Sequence, residues 1–299
     1  MRIIIAIFRL ICLFFVSLFC FTIGLIILPF LPKQIAFYLA RLWGKTTLIS
    51  IGAKIDIIGN SGDYIQPNCI VIANHVSWLD IPVVYATYAV SFVARIEIKN
   101  WPILGRLMKR VDTLFIDRSK KRDIINVNQV VSKQLSNGGT IGLFPEGKTS
   151  DGAQVLQFRA PLLENAITTH GCQVIPLVIK YHDANGQRST NQVTYAGDVT
   201  LFQTIKNTLL IDKLHIKIHI LPKVNANTFA KRNELSNFLY AQINSCYMAD
   251  NNLNPQPDDK MWDEDEIGAI ASINNAILNQ DDTGSENLEA SPIKVTDNI

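Results

Sequence analysis

The run Ile70-Val71-Ile72-Ala73-Asn74-His75-Val76-Ser77-Trp78-Leu79-Asp80 narrows the possible folds more than any other stretch. Its first four residues are apolar and mostly β-branched, the composition of a strand buried on both faces. Asn74 breaks the run, and Ser77 and Asp80 are residue types that start helices. Pro82 falls in a first helical turn, where a missing N–H costs nothing, ahead of the apolar Val83-Val84-Tyr85-Ala86. A strand, a tight polar loop and a helix start within so few residues belong to an α/β sheet. His75 then stands at the carboxyl end of a strand, where such sheets place their ligands.

The spacing carries chemistry. An imidazole accepts a proton from a hydroxyl when one ring nitrogen is free and the other is held by an acceptor. Asp80, brought back by the turn, is placed to accept from Nδ1–H of His75 and leave Nε2 as the base. A loop histidine beside a helix-capping aspartate would show the same two letters, so the pair alone leaves both readings open.

Three later stretches extend the pattern. Asn74-His75-x-Ser77-Trp78-x-Asp80 resembles the first signature of the glycerolipid acyltransferases, among them the 1-acylglycerol-3-phosphate (lysophosphatidate) acyltransferases. Phe115-Ile116-Asp117-Arg118 is similar to the second, Phe144-Pro145-Glu146-Gly147 to the third, and Val174-Ile175-Pro176-Leu177 to the fourth. They follow in the family's order, and the resemblance spans residues 35–225. It implies that His75 and Asp80 are catalytic, that Arg118 grips the acceptor's phosphate, and that residues 174–177 border the acyl-chain site. Glu146, Gly147, Lys148 and Ser77 join Arg118 as expected substrate-binding residues. The family more often shows Thr and then Arg after the glycine, where this chain has Lys148 and Thr149. One cation is kept but moved, which bears on the acceptor headgroup more than on the reaction. Arg159 either supplies the displaced charge, as a further substrate-binding residue, or is a plain surface arginine.

The two ends differ from the middle. Residues 10–32 carry no charge, more than the roughly 20 needed to cross a hydrocarbon core, and no small-x-small cleavage site follows. A retained membrane anchor is expected. Lys33, Arg41, Lys45 and Lys54 follow it and only Arg2 and Arg9 precede it, which places the body on the cytoplasmic face. Residues 35–51 mix apolar and basic residues at helical spacing, either an amphipathic helix on the same leaflet or a helix of the globular domain. The resemblance implies a pair of N-terminal helices dipping into one leaflet. From Asp250 onward the chain holds twelve acidic residues and two lysines, so the first 249 residues carry +12 against a net charge of +2. That tail is polar and poor in core-forming residues, and is expected to be mostly disordered. Five scattered cysteines suit neither a disulfide framework nor a metal site.

The expected organisation is therefore residues 1–52 as membrane-anchoring helices, 53–249 as an α/β domain with a mixed, largely parallel sheet covered by helices, and 250–299 as an acidic tail. Strands are expected at 54–59, 70–73, 90–94, 113–116, 140–144, 174–181, 193–196 and 214–221. Helices are expected from Trp101-Pro102, over 122–135, from Ala160 to Thr169 and over 228–247. Pro176 removes a ladder donor and so marks an edge, a bulge or a strand start.

Other patterns are weaker. Gly142-x4-Gly147-Lys148-Thr149 matches a phosphate-cradling loop by letter, but Gly142 lies inside an apolar strand and Pro145 removes a donor from the cradle. His215 and His219 share a strand face with Lys217 between them, poor company for a metal. No Gly-x-Ser-x-Gly occurs, so a serine hydrolase has no nucleophile elbow. The expectation is a membrane-bound O-acyltransferase that moves an acyl chain from acyl-CoA or acyl carrier protein to a lysophospholipid, first 1-acylglycerol-3-phosphate. No metal or cofactor is expected, because a thioester is already activated. Membrane lipids are expected partners and nucleic acid is not. The alternatives are another acceptor, such as a lyso-ornithine lipid, or a non-catalytic membrane adaptor.

Overall fold

The computed structural model describes residues 2–60, 62–116, 121–188 and 190–249; Arg118 and the acidic tail lie outside them. The uncharged stretch becomes α1 (Arg2–Ile26), which turns through a 3-10 helix at Leu28–Phe30 into α2 (Lys33–Ser50). β1 (Ala53–Ile58) leads to β2 (Cys69–Ala73), buried at every position, and then to α3 (Asp80–Thr87). β3 (Ser91–Arg95), α4 (Leu104–Arg110), β4 (Leu114–Ile116), α5 (Lys121–Ser136) and β5 (Thr140–Leu143) follow. After a long loop come α6 (Glu164–Thr168), β6 (Gln173–His182), α7 (Thr190–Val193) and α8 (Leu201–Leu210). β7 (Leu214–Ile220), β8 (Val224–Asn225) and α9 (Arg232–Met248) complete the described chain.

The strands form one sheet in the order β1-β7-β6-β2-β5-β3-β4, with β8 beside β6. Pairing is parallel except where β6 meets β7 and β8. Alternation along β2 sends Cys69, Val71 and Ala73 to one apolar layer and Ile70 and Ile72 to the other. The first layer holds α2, α3 and α8; Leu28, Ala36, Leu48 and Ile51 are buried there with Tyr85, Ile175, Ile179 and Ile216. The second holds α5, α6 and α9, whose Leu235, Leu239 and Ile243 recur every four residues. Of the two readings of residues 35–51, the packing supports a helix of the globular body. Gly44 of α2 lies so close to α3 that a Cβ there would stand 2.5 Å from the Pro82 carbonyl oxygen.

α1 is tied to the body near both ends. The Arg9 guanidinium donates to the carbonyls of Leu209 (3.1 Å), Ile211 and Asp212 (3.0 Å), the orphan acceptors at the end of α8. At the other end, a Cβ on Gly24 would stand 2.4 Å from Leu107 of α4. The outer face between these fastenings is apolar, with Phe8, Phe14, Phe15 and Phe19 all more than half exposed. By length and composition α1 is sufficient to cross a membrane.

Three expectations change. Residues 193–196 are not a strand: α7 ends at Val193, and Thr194 Oγ1 and the Tyr195 N–H donate to the carbonyls of Ser150 and Val76 (both 2.9 Å). These groups strap a loop and pair with no ladder. Residues 160–169 split into a 3-10 turn (Ala160–Leu163) and α6. Pro176 lies in mid-strand at the centre of the sheet, paired with Ile72. Its carbonyl accepts from the Leu221 N–H (3.0 Å), so its nitrogen faces the gap where β7 gives way to β8 and no acceptor requires a proton.

Candidate active site

β2 ends at Ala73 and the next seven residues fold back on one carboxylate. Asp80 Oδ2 accepts from His75 Nδ1 (2.7 Å) and from the backbone N–H groups of Val76 and Ser77 (both 2.8 Å). Its other oxygen accepts from the Tyr181 hydroxyl of β6. Four donors converge on Asp80, whose side chain is fully buried. The aspartate therefore holds the loop together; it does not cap α3, whose first residue it is and whose N-cap position is Leu79, a side chain that cannot cap. Burial, first, and the neighbouring Asp80, second, hold the Tyr181 phenol well above its usual range, so it remains a donor.

An aspartate carboxylate accepts, so the His75–Asp80 bond turns the Nδ1–H toward Asp80 and leaves Nε2 as the ring nitrogen that can accept when the imidazole is neutral. The His75 side chain is 19% exposed, against a fully buried Asp80. Its ring stacks on Phe144 at 4.1 Å between centroids and 13° between planes, and Phe144 stacks in turn on Phe92 at 5.6 Å. Two further contacts fix the backbone around it. The Asn74 side chain exchanges two hydrogen bonds with the backbone of Ile179 (3.0 and 2.8 Å), taking the place of a ladder pair beyond the end of β2. Ser150 donates its N–H (2.8 Å) and hydroxyl (3.2 Å) to the His75 carbonyl.

Glu146 completes the brace. It is buried, and its carboxylate accepts from the N–H of His75 (2.6 Å) and of Leu156 (2.8 Å). Burial pushes this carboxyl up to about 7, while the two N–H donors pull the other way. It faces the protein and joins the Pro-Glu-Gly turn to the histidine loop. Gly147 has φ of +74°, a region where side chains are strained, and the Arg159 side chain lies where its Cβ would be, with Nε 2.8 Å away. Ser77 is buried and its hydroxyl accepts from the Leu79 N–H (3.3 Å). Lys148 and Arg159 are exposed. The structure thus gathers His75, Asp80, Ser77, Glu146, Gly147 and Arg159 around one loop pair, and Arg118 lies outside the described residues. Asn74, Phe144, Ser150 and Tyr181 are additions. Asn74 and Phe144 stand inside the signatures and were readable as neighbours of the site, whereas nothing local marks Ser150 or Tyr181.

His215 and His219 do share a face of β7 with Lys217, opposite His182, Lys180 and Val178 of β6. Burial and then Lys180 and Lys217 lower the His219 imidazole to about 4. A cavity of about 570 Å³ opens elsewhere, beside Ser91, Leu114 and Thr140 at the amino ends of β3, β4 and β5, away from His75.

The sheet and the site have relatives. The acyltransferase family model matches residues 56–180. A 1-acyl-sn-glycerol-3-phosphate acyltransferase of Neisseria gonorrhoeae is 37% identical over 175 residues, 58% of this chain and 67% of that one. The chain belongs to the acyltransferase family. A lyso-ornithine lipid O-acyltransferase of Rhizobium meliloti shares 29% over 216 residues, 69% of this acyltransferase and 73% of the relative. The same fold is found in the crystal structure of the 1-acyl-sn-glycerophosphate (LPA) acyltransferase PlsC from Thermotoga maritima. That comparison has a TM-score of 0.65 at 19% identity and covers 83% of this chain and 96% of the other. In this acyltransferase the matched region begins within β1 and ends within β6, so it contains the whole His75–Asp80 loop and the Glu146 turn.

Proposed function

We propose that this acyltransferase moves an acyl chain from acyl-CoA or acyl carrier protein to the free hydroxyl of a lysophospholipid, with 1-acylglycerol-3-phosphate as first acceptor and phosphatidic acid as product. The observation that carries the reading is the His75 Nδ1–Asp80 Oδ2 bond of 2.7 Å inside a carboxylate already engaged by three other donors. Nε2 of His75 takes the acceptor's hydroxyl proton as the oxygen attacks the thioester carbonyl. A C–O bond forms, the C–S bond breaks, and the departing thiolate recovers a proton. Asp80 orients the ring throughout. Such a base contributes on the order of 10²–10⁴ in rate, and positioning supplies the remainder. Arg118, Lys148 and Arg159 are the cations proposed for the acceptor's phosphate, with Ser77, Glu146 and Gly147 shaping the loops around it.

The protein is proposed to act at a membrane, with its catalytic domain on the cytoplasmic face. α1 presents an apolar outer face and is fastened to the body near both ends, which supports entry into a single leaflet in preference to a free span. A lyso-ornithine acceptor is the second reading. It is favoured by the Rhizobium meliloti relative's name and by Lys148 standing where the family more often has threonine. Purified protein assayed against a panel of lysolipids with both donor types tests the proposal. Turnover of 1-acylglycerol-3-phosphate above the lyso-ornithine lipid supports the first reading, the reverse order supports the second, and no transfer to any lysolipid overturns both.

A further inference from the structure

The turn before α4 holds large apolar side chains in water. Trp101 is 52% and Ile103 is 50% exposed, and Pro102 between them is exposed as well. The turn is hydrogen-bonded on both sides: the Trp101 N–H donates to the Ile98 carbonyl and the Gly105 N–H to the Trp101 carbonyl, both at 3.1 Å. Gly105 permits this clamp, since a Cβ there would stand 2.3 Å from the Lys99 carbonyl oxygen. Beyond the turn, Arg106, Lys109 and Arg110 of α4 form the wall of a cavity of about 290 Å³ whose floor is Gly24, Leu25 and Pro29. The nearby carboxylate of Asp112 is already taken by Lys33 at 2.8 Å, leaving the wall cationic. The floor continues into Ile26, Ile27 and Phe30, exposed by 63, 45 and 85%.

Acyl-compatible surface therefore passes directly into clustered cations on α4, the helix that the exposed Trp101 turn leads into. That is the order of chemistry met on moving from the hydrocarbon of a bilayer to its phosphates. An acidic protein would satisfy the cations and leave Phe30 and Ile27 in water; an anionic lipid surface covers both. We propose that the Trp101-Pro102-Ile103 turn and α4 form a second membrane-docking element beside α1, inserting Trp101 and Ile103 at the headgroup boundary and seating a lipid phosphate against Arg106, Lys109 and Arg110. This rests on the membrane reading above.

Full-length wild type and W101F are compared on phosphatidylglycerol–phosphatidylethanolamine vesicles brominated near the headgroup end of the acyl chains. Both proteins should sediment with the vesicles through α1, and W101F should lose the larger part of the bromine quenching seen in wild type. R106Q/K109Q should partition less onto phosphatidylglycerol vesicles, roughly fivefold for each cation removed, and change little on phosphatidylcholine. Equal quenching in wild type and W101F, with both still sedimenting, would overturn the docking element and leave membrane association standing. Failure of wild type to sediment would overturn both. Equal loss on the two lipid types would remove the phosphate seat. Release of quenching by millimolar inorganic phosphate would reassign the cavity to a free anion and likewise defeat the lipid proposal.

Discussion

Asp80 shows how one side chain can serve structure and chemistry together. Its two oxygens hold the loop's N–H groups, the Tyr181 hydroxyl and the imidazole, so any change to it disturbs all three. His75→Ala should abolish nearly all turnover while the protein keeps its far-ultraviolet circular dichroism; wild-type turnover in that variant would refute the proposed base. Asp80→Asn should cost nearly as much turnover and, by presenting an amide to the Val76 and Ser77 N–H groups, roughly 1–3 kcal/mol of stability as well. Tyr181→Phe keeps the packing and removes one donor to the carboxylate. It should lower kcat by about tenfold, since a hydrogen bond to a charged group contributes about 1.5–3 kcal/mol and each 1.4 kcal/mol is tenfold. KM for both substrates should stay within error, and a change confined to KM would place Tyr181 in substrate binding instead.

At the scale of elements, α1 is a helix with two allegiances. Its outer face is apolar, and its inner face is anchored by Arg9 against the carbonyl end of α8 and by Gly24 against α4. Arg9→Met keeps much of the side chain's bulk and removes the donors. Hydrogen exchange should then quicken in α8 and its C-terminal turn, with β2 and β5 unaffected. Unchanged exchange in α8 would show that the guanidinium contributes nothing to holding the helix down. The same scale explains why β6 tolerates Pro176. A strand interior normally rejects proline because a donor is lost, but here the donor would face a change of partner strands, from β7 to β8.

For the molecule as a whole, two shielded groups oppose each other as pH changes. Glu146 is raised from 4.5 to about 7, so the folded state holds its proton longer than the unfolded chain. Its contribution is fully present below 4.5 and is lost as pH rises through 7. His219 is lowered from 6.5 to about 4, so the unfolded chain takes a proton first. Its contribution is present above 6.5 and is lost as pH falls towards 4. Between pH 4.5 and 6.5 the slopes cancel in part. The Tm of Glu146→Gln should therefore rise more steeply with pH across that window than that of wild type, and the Tm of His219→Gln less steeply. Parallel curves for all three proteins would contradict both assignments. Deleting residues 250–299 should leave turnover of the membrane-bound enzyme nearly unchanged, measured at equal protein in vesicles, because every group placed in the site precedes residue 250; a collapse of turnover would assign the tail a part in catalysis.

The sequence alone carried the alternation of strands and helices, the uncharged N-terminal stretch and the His75–Asp80 spacing, because each of these is written in residues that are neighbours along the chain. A buried strand shows its β-branched run, and a five-residue turn returns its own aspartate. Tertiary structure alone decided what depends on partners distant in sequence. Tyr181 reaches Asp80 from 101 residues away and Glu146 reaches the His75 N–H from 71. Residues 193–196 look extended in isolation, yet their polar groups bind the loop carbonyls of Ser150 and Val76. Pro176 looks like an edge marker until the order of strands shows which side of β6 its nitrogen faces. Local pattern determines which element forms; the placement of elements determines which donors and acceptors meet, and the site is made of those meetings.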